Sequence, residues 1–225
     1  LIIAWLGGAP MFFGVMGAIS RSGIREILAF HVLSQVGFMI LAIGFYTPVA
    51  FAATIFYMVH HIIVKASLFL TTSGVIGILG TDHLKRTGGL WKSHPWLGLT
   101  FLFMAFSLAG LPPLSGFWAK LWILLEGLNL GYYTLVAVSL IASVLTLASM
   151  LKIWFGAFWQ PLPEGVQADR KIPSSLVIAL VVMCLVSAGV VVGVRPLWEA
   201  SNAAALELMN PALYIDPVLN AAGKP

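Results

Sequence analysis

Six long apolar segments with almost no internal charge dominate the sequence. A helix needs about 20 apolar residues to cross the hydrocarbon core of a bilayer. Each segment is long enough, and none shows the alternation typical of a membrane β-strand. We therefore predict an all-α polytopic membrane protein with six transmembrane helices. The predicted helices cover about residues 1–20, 27–45, 49–79, 96–128, 132–158 and 174–194.

Charged residues are too few to coat a water-soluble surface. Asp, Glu, Lys and Arg make up 9% of the 225 residues, whereas a soluble domain carries about 25%. This excludes a soluble enzyme, a disordered chain and a nucleic-acid-binding protein. The single cysteine cannot form an intrachain disulfide, and the five histidines show no metal-ligand spacing. Because nucleotide-binding and nucleophile motifs are also missing from the sequence, we predict no catalytic residue, metal or cofactor.

The basic residues of the loops indicate an orientation in the membrane. The loops after the first, third and fifth segments hold seven Lys or Arg residues, whereas the loops near residues 46–48 and 129–131 hold none. The positive-inside rule assigns the basic loops to the cytoplasm. We therefore expect a multi-pass membrane protein whose C-terminal tail, residues 196–225, lies outside the cytoplasm. The seven residues are Arg21, Arg25, Lys85, Arg86, Lys92, Arg170 and Lys171; the outer end of the chain adds Arg195 and Lys224.

The fourth segment contains a strong helix breaker at membrane depth. Pro112 and Pro113 remove two backbone donors and clash with the preceding turn. Gly110 and Gly116 loosen the two flanks. We predict a broken helix made of two half-helices, a feature that marks ion sites in transporters. A proline kink within one packed helix is the alternative.

Lys65 lies in the middle of the third segment. A charge at this depth is costly and indicates a functional site. Tyr57, His61 and Lys65 follow one another at steps of four, and His60 is adjacent to His61. Histidine can pass protons through its two ring nitrogens, so this row predicts a proton relay. The alternative is a structural lysine paired with a carboxylate elsewhere in a longer chain.

Lys120 follows the two prolines by seven residues. Unwound backbone beside a lysine can stabilise its charge through carbonyl groups, so we predict a gated proton site there. The alternative is a lysine that extends to the nearby interface. Glu126 lies six residues further on and is expected to have a supporting role at most.

Other polar residues within the apolar segments are possible accessories of the relay. Lys152 lies near the end of the fifth segment, where extension to the interface is favoured. His31, Ser34 and Gln35 share one face of the second segment and could form either a hydrated entrance or an interhelical hydrogen-bond cluster. A row of hydroxyl groups precedes Lys152 and is expected to serve packing more than water binding: Ser139, Ser143, Thr146 and Ser149.

Glycines at regular steps indicate close helix packing in two segments. Gly74, Gly77 and Gly80 follow one another at steps of three, and Gly189 precedes Gly193 by four.

Several motifs resemble those of one membrane family. Residues 22–38 (SGIREILAFHVLSQVGF) are similar to a D-x-K-R-x-L-A-Y-S-x-x-S-Q-x-G segment, and residues 60–70 (HHIIVKASLFL) to an H-x-x-x-K-A-x-L-F-L helix. Residues 88–90 match a loop motif, and residues 108–120 resemble a broken-helix motif that ends in G-F-[WF]-[SA]-K. The family comprises the proton-conducting antiporter-like subunits of respiratory complex I, membrane-bound hydrogenases and Mrp-type antiporters. Residues 210–219 are similar to the C-terminus of Mrp-type D subunits.

The resemblance implies a fourteen-helix subunit of which this chain holds the last six helices. The start inside an apolar run, without Met, also indicates the C-terminal portion of a longer chain. Residues 1–195 would form the proton-conducting membrane domain. Lys65 matches the lysine of helix eleven, Lys120 the lysine of broken helix twelve, and His61 the relay histidine. Departures occur at Arg25 and Glu26, where the family often has Lys and Arg, and at His31, where it often has Ser or Thr.

The function implied is proton translocation in a multisubunit Na⁺/proton antiporter, not an enzyme. The implied partners are other membrane subunits, the lipid bilayer, protons and Na⁺, with no nucleic acid. The alternative is a proton-pumping subunit of a complex I-type dehydrogenase or a membrane-bound hydrogenase.

Overall fold

A computed structural model describes residues 1–164, 168, 172–213 and 215 of the chain. The predicted cytoplasmic residues Arg170 and Lys171, the tail residue Lys224, and much of the 210–219 motif lie outside these ranges.

The described residues form a helical bundle and contain no β-strand, which confirms the all-α prediction. Five of its helices are long and apolar enough to cross a membrane: α1, α2, α3, α8, and the continuous helix formed by α7 and a π-helical turn at Trp154–Trp159. The helices are α1 (Ile2–Ser20), α2 (Ile24–Ile43), α3 (Pro48–Leu79), α4 (Leu90–Ser93), α5 (Pro95–Ala109), α6 (Ser115–Asn129), α7 (Tyr133–Ile153), α8 (Ser174–Val192) and α9 (Val194–Leu208).

The predicted break in the fourth segment is confirmed. Helix α5 ends because Gly110 adopts a φ of +89°, a conformation that glycine tolerates without strain. Its N–H donates back to the carbonyls of Phe106 and Ser107. Helix α6 then begins at Ser115, so the segment consists of two half-helices rather than one kinked helix.

Helices α1 and α2 pack through their glycines. A methyl group at Gly37 would lie 2.7 Å from Met11 Cα, and one at Gly14 would lie 3.0 Å from Ser34 Cα. The two backbones therefore approach more closely than larger residues would permit. This close contact places α2, with Phe38 and Gln35, against the centre of the bundle.

The prediction of close packing at Gly77, Gly80 and Gly189 is wrong. These glycines are exposed, and a Cβ at any of them would have no neighbour within 4 Å in the part of the chain that the structure describes. Regular spacing alone does not reveal whether a glycine row faces a neighbouring helix or the outside of the bundle.

A further helix, α9, occupies the start of the predicted tail. Ser201 and Ala205 are buried, and the Trp198 ring stacks on Trp122 of α6 with centroids 3.8 Å apart. The segment was predicted only as a tail, because its apolar residues are too few for a membrane span. It packs against α3 as an amphipathic helix.

The loop after α3 is attached to the start of α2. The N–H of Leu84 donates to the Ser22 carbonyl at 2.8 Å, and Arg25 Nε forms an ion pair with Asp82 at 2.8 Å. The hydrogen bond from Arg25 holds the pKa of Asp82 below its ordinary value, so this ion pair persists well below neutral pH.

The glycine contact between α1 and α2 predicts a sharp difference between two substitutions. Gly37→Ala forces the two backbones apart, at a cost of about 1–3 kcal/mol for overpacking, and should lower the thermal unfolding midpoint of the purified assembly. Gly189→Ala adds the same methyl group at a site where no other described residue lies within 4 Å, and it should leave the midpoint unchanged. Equal midpoints for the two variants would contradict the packing described.

Candidate functional site

A connected row of buried polar side chains, which we call the central polar chain, crosses the bundle. Tyr57 donates its hydroxyl proton to the side-chain oxygen of Gln35, and its ring stacks on His60 with centroids 5.5 Å apart. His60 Nδ1 hydrogen-bonds Ser115 Oγ at 2.8 Å, and Ser115 Oγ lies 3.0 Å from Ser107 Oγ. The central polar chain therefore links α2 through α3 to both halves of the broken helix.

Several buried polar atoms beside this chain have no protein partner among the described residues. Buried polar groups are almost always hydrogen-bonded, to protein or to ordered water. Each of these atoms therefore needs a hydrogen-bond partner from outside the described residues, either ordered water or another part of the protein. The atoms are Nε2 of Gln35, Nε2 of His60, Nε2 of His61 and Oγ of Ser67.

Lys65 is buried, with 6% of its surface exposed. Its ammonium donates to the carbonyl of Leu28 on α2 at 2.8 Å. No carboxylate lies within 4.0 Å of it in the described ranges. A buried ammonium that donates to a single neutral acceptor is poorly stabilised unless water or another group accepts its remaining hydrogen bonds.

Lys120 points into the break of the fourth segment and is 4% exposed. Its Nζ lies 3.2 Å from the carbonyl oxygens of Leu108 and Ala109, 3.4 Å from Ser143 Oγ, and 4.7 Å from the centroid of the Phe38 ring. The two carbonyls belong to the last turn of α5, where carbonyl groups have no N–H donor within the helix. The negative end of the α5 dipole and the aromatic face both favour a cation.

Lys120 does not extend to the interface. A lysine that did so would carry its ammonium to the surface of the bundle. The observed ammonium instead contacts backbone carbonyls freed by the break.

Lys152 and Glu126 do not join the central polar chain. Lys152 is partly exposed and donates to the carbonyls of Ile19 and Arg21, at 2.8 and 2.5 Å, where α1 ends. This position matches the predicted location near an interface. Glu126 is partly exposed, and it forms no ion pair within the part of the chain described.

His31, Ser34 and Gln35 are fully buried, but each contacts a different helix. His31 Nε2 lies 2.6 Å from Ser149 Oγ of α7, and Ser34 donates to the Met11 carbonyl of α1 at 2.7 Å. Only Gln35 joins the central polar chain, through Tyr57. The shared face therefore connects α2 to three neighbours instead of forming one cluster.

Three contributors to the site were not singled out from the sequence. Ser107 and Ser115 form the hydroxyl pair across the break, and Phe38 lies beneath the Lys120 ammonium. The position of Ser115 two residues after the second proline, at the start of the next half-helix, is a signal that could have identified it. Nothing in the local sequence indicates the roles of Ser107 and Phe38.

A discontinuous helix with a buried lysine, set in a bundle of apolar helices, defines a polytopic membrane protein. The family model described as "NADH:quinone oxidoreductase/Mrp antiporter, TM" matches residues 1–146. The chain belongs to this family and is a multi-pass membrane protein.

Two relatives are named as D subunits of Na⁺/H⁺ antiporters. The protein from Alkalihalophilus pseudofirmus is 42% identical over 221 residues, and the protein from Bacillus subtilis is 32% identical over 218 residues. In each case the match covers 97% of this chain and 44% of the relative. The chain therefore spans less than half the length of these relatives.

Solved structures show the same fold. A chain of the Mrp complex from Dietzia sp. aligns with a TM-score of 0.87 and 33% identity, covering 96% of this chain and 49% of that chain. A chain of an archaeal membrane-bound sulfane sulfur reductase aligns with a TM-score of 0.84 at 22% identity, covering 96% and 43%. The second likeness shows the fold alone.

The hydrogen bond between Ser107 and Ser115 links the two half-helices. It predicts that removing the Ser115 hydroxyl lowers stability, whereas removing the hydroxyl of a second buried serine does not. Ser115→Ala leaves His60 Nδ1 and Ser107 Oγ without this partner, which costs about 1–3 kcal/mol for unsatisfied buried groups. The variant should lower the unfolding midpoint of the purified assembly.

The matched control is Ser187→Ala. Ser187 is also buried, but its hydroxyl has no hydrogen-bond partner in the described ranges. Its removal should leave the midpoint unchanged or raise it slightly. An equal loss of stability in both variants would show that the link across the break contributes nothing.

Proposed function

We propose that this chain translocates protons in a multisubunit Na⁺/proton antiporter, with Lys120 as the proton-exchanging group of the broken helix. The observation that carries the proposal is the position of the Lys120 ammonium against the last carbonyls of α5. It is a buried cation held by dipoles and an aromatic face, without a carboxylate partner among the described residues.

Such surroundings suit a group that must change its charge. A lysine paired with a buried carboxylate cannot lose its proton without leaving an uncompensated negative charge. Carbonyl and hydroxyl groups leave no such charge behind when the lysine becomes neutral. Because their interaction with the ammonium depends on the geometry of residues 110–114, a small rearrangement of the break can favour or disfavour proton release.

The relay proposed within this chain runs from Lys65, with His61 and His60, to Lys120. His60 and His61 lie on α3, and in each ring Nε2 has no hydrogen-bond partner among the described residues. The proposed relay requires water to connect these nitrogens to the two lysines. The charge at one lysine affects proton binding at the next, because Coulomb interactions are strong inside a low-dielectric bundle. Tyr57 and Gln35 hold His60 in place, and Ser115 couples His60 to the break.

The orientation is also part of the proposal. The ends of α1, α3 and α7 that carry the basic loops would face the cytoplasm of a bacterial cell. Residues 1–195 would form the proton-conducting domain, and residues 196–225 would lie outside. Helix α9 would then cover the outer end of α3.

The proposal that Na⁺ is the cation and that other membrane subunits are partners rests on the similar proteins. Two of them are named Na⁺/H⁺ antiporter subunits, at 42% and 32% identity, and an Mrp complex supplies a structural match at 33% identity. Structures of redox-driven complexes match at 22% and 23%. The sequence likeness therefore favours a cation antiporter assembled with other membrane subunits over a redox-driven pump, although the fold is common to the two classes.

The proposal predicts that the two buried lysines are required for exchange. Everted membrane vesicles that carry the complete antiporter complex should lose an imposed pH gradient when Na⁺ is added without a redox substrate. Lys65→Ala and Lys120→Ala should each slow this response by about tenfold or more, since 1.4 kcal/mol on the transfer barrier is sufficient.

The control is Lys85→Ala, which removes an exposed loop lysine and should leave the rate unchanged. Wild-type rates in both buried-lysine variants would refute the relay. Proton pumping that appears only when NADH or another electron donor is added would assign the complex to the redox-driven class.

A further inference from the structure

His31 uses only one of its two ring nitrogens within the described protein. Its Nε2 lies 2.6 Å from Ser149 Oγ. When the Ser149 hydroxyl donates to the Thr146 carbonyl, which lies 2.9 Å away, it accepts a hydrogen bond from His31 Nε2. In that arrangement the neutral ring carries its proton on Nε2, and Nδ1 is the acceptor. Nδ1 is buried and has no hydrogen-bond partner among the described residues.

Helix α7 joins this histidine to the broken helix. Ser143 lies 3.4 Å from the Lys120 ammonium, and Ser149 contacts His31 six residues later, about 9 Å along the helix. Thr146 lies between them and is buried. Lys152 follows three residues after Ser149, at the end of the bundle where the basic loops begin. We call this row, from Ser143 to Lys152, the α7 branch.

The charged groups near His31 come from neighbouring helices. Lys65 of α3 donates to the carbonyl of Leu28, one turn before His31 on α2. The Lys120 ammonium of α6 lies 4.7 Å from the centroid of the Phe38 ring on α2. Helix α7 carries Lys152 as its sole charged residue, and α1 carries no charged residue. Because Coulomb interactions are strong inside a low-dielectric bundle, a proton on His31 would respond to the charge of both relay lysines.

We propose that His31 is a proton-holding site on a second branch of the pathway, which runs along α7 from Lys120 to the basic-loop end of the bundle. This inference rests on the proposed function. One proton binds Nδ1 of the neutral ring and later leaves it, while the Nε2–H bond to Ser149 persists, so no other bond changes. The branch connects Lys120 to that end of the bundle without passing through Lys65.

Histidine at this position can do something that Ser or Thr cannot. Ser or Thr, which the resembling family often has there, can form a hydrogen bond but cannot hold an extra proton near neutral pH. His31 therefore adds a titratable group to a branch that otherwise consists of hydroxyl groups and a terminal lysine. Its effect should appear in how exchange depends on pH.

The test measures the initial rate of Na⁺-driven proton exchange over a range of pH, in everted vesicles that carry the complete complex. His31→Gln can still donate to Ser149 but cannot hold the proton. Its rate near neutral pH should fall severalfold, and its dependence on pH should become flatter than that of the wild type. Ser149→Ala should flatten the pH dependence of the rate in the same way. Ser149→Thr, which keeps the hydroxyl, should show the wild-type pH dependence.

The matched control is Ser34→Ala. Ser34 is buried on the same helix one turn away, but it donates to α1 and has no contact with α7 among the hydrogen bonds of the described residues. This variant should keep the wild-type profile. If His31→Gln does not assemble, His31→Ser, which introduces a residue frequent in the resembling family, replaces it in the same comparison.

The outcomes separate this inference from the proposed function. If the wild type exchanges protons for Na⁺ and Lys120→Ala does not, an unchanged pH profile in the His31 variant overturns the α7 branch and leaves the proposed function intact. If the wild-type complex shows no response to Na⁺, the proposed function fails and the α7 branch is overturned with it.

Discussion

The contact between the Lys120 ammonium and the carbonyls of Leu108 and Ala109 is the interaction on which the site depends. It exists only because the helix is broken, since an intact helix would use these carbonyls for its own N–H groups. The break is costly at membrane depth unless protein or water satisfies its backbone. Lys120 supplies that partner, and the break in turn provides a place for a buried cation. Each feature therefore accounts for the other.

The surrounding helices hold this arrangement together. Close glycine packing between α1 and α2 positions Phe38 under the ammonium, while α7 contributes Ser143. Helix α3 binds the other side of the break through His60 and Ser115. A movement of the break would consequently be transmitted to α3, which also carries Lys65. The packing thus links α3, which carries Lys65, to the broken helix that carries Lys120.

The helices, the break and the two lysines could be predicted from the sequence, because apolar length, paired prolines and intramembrane charge are local signals. The partners of those residues could not. Ser107 and Ser115 meet only across the break between the two half-helices, and His31 contacts α7 across 118 residues of sequence. The glycine rows at Gly77 and Gly189 were misleading because spacing does not reveal which face of a helix is covered. Helix α9 was missed because an amphipathic helix lacks the apolar length of a span.

The most direct test of the central claim replaces Lys120 by arginine in the complete complex and measures Na⁺-driven proton exchange in everted vesicles. Arginine can occupy the same cation-stabilising surroundings but does not release its proton. If Lys120 works by changing its charge, the arginine variant should assemble normally and lose exchange. A Lys120→Arg complex that exchanges at the wild-type rate would show that a fixed positive charge suffices, and would contradict this account.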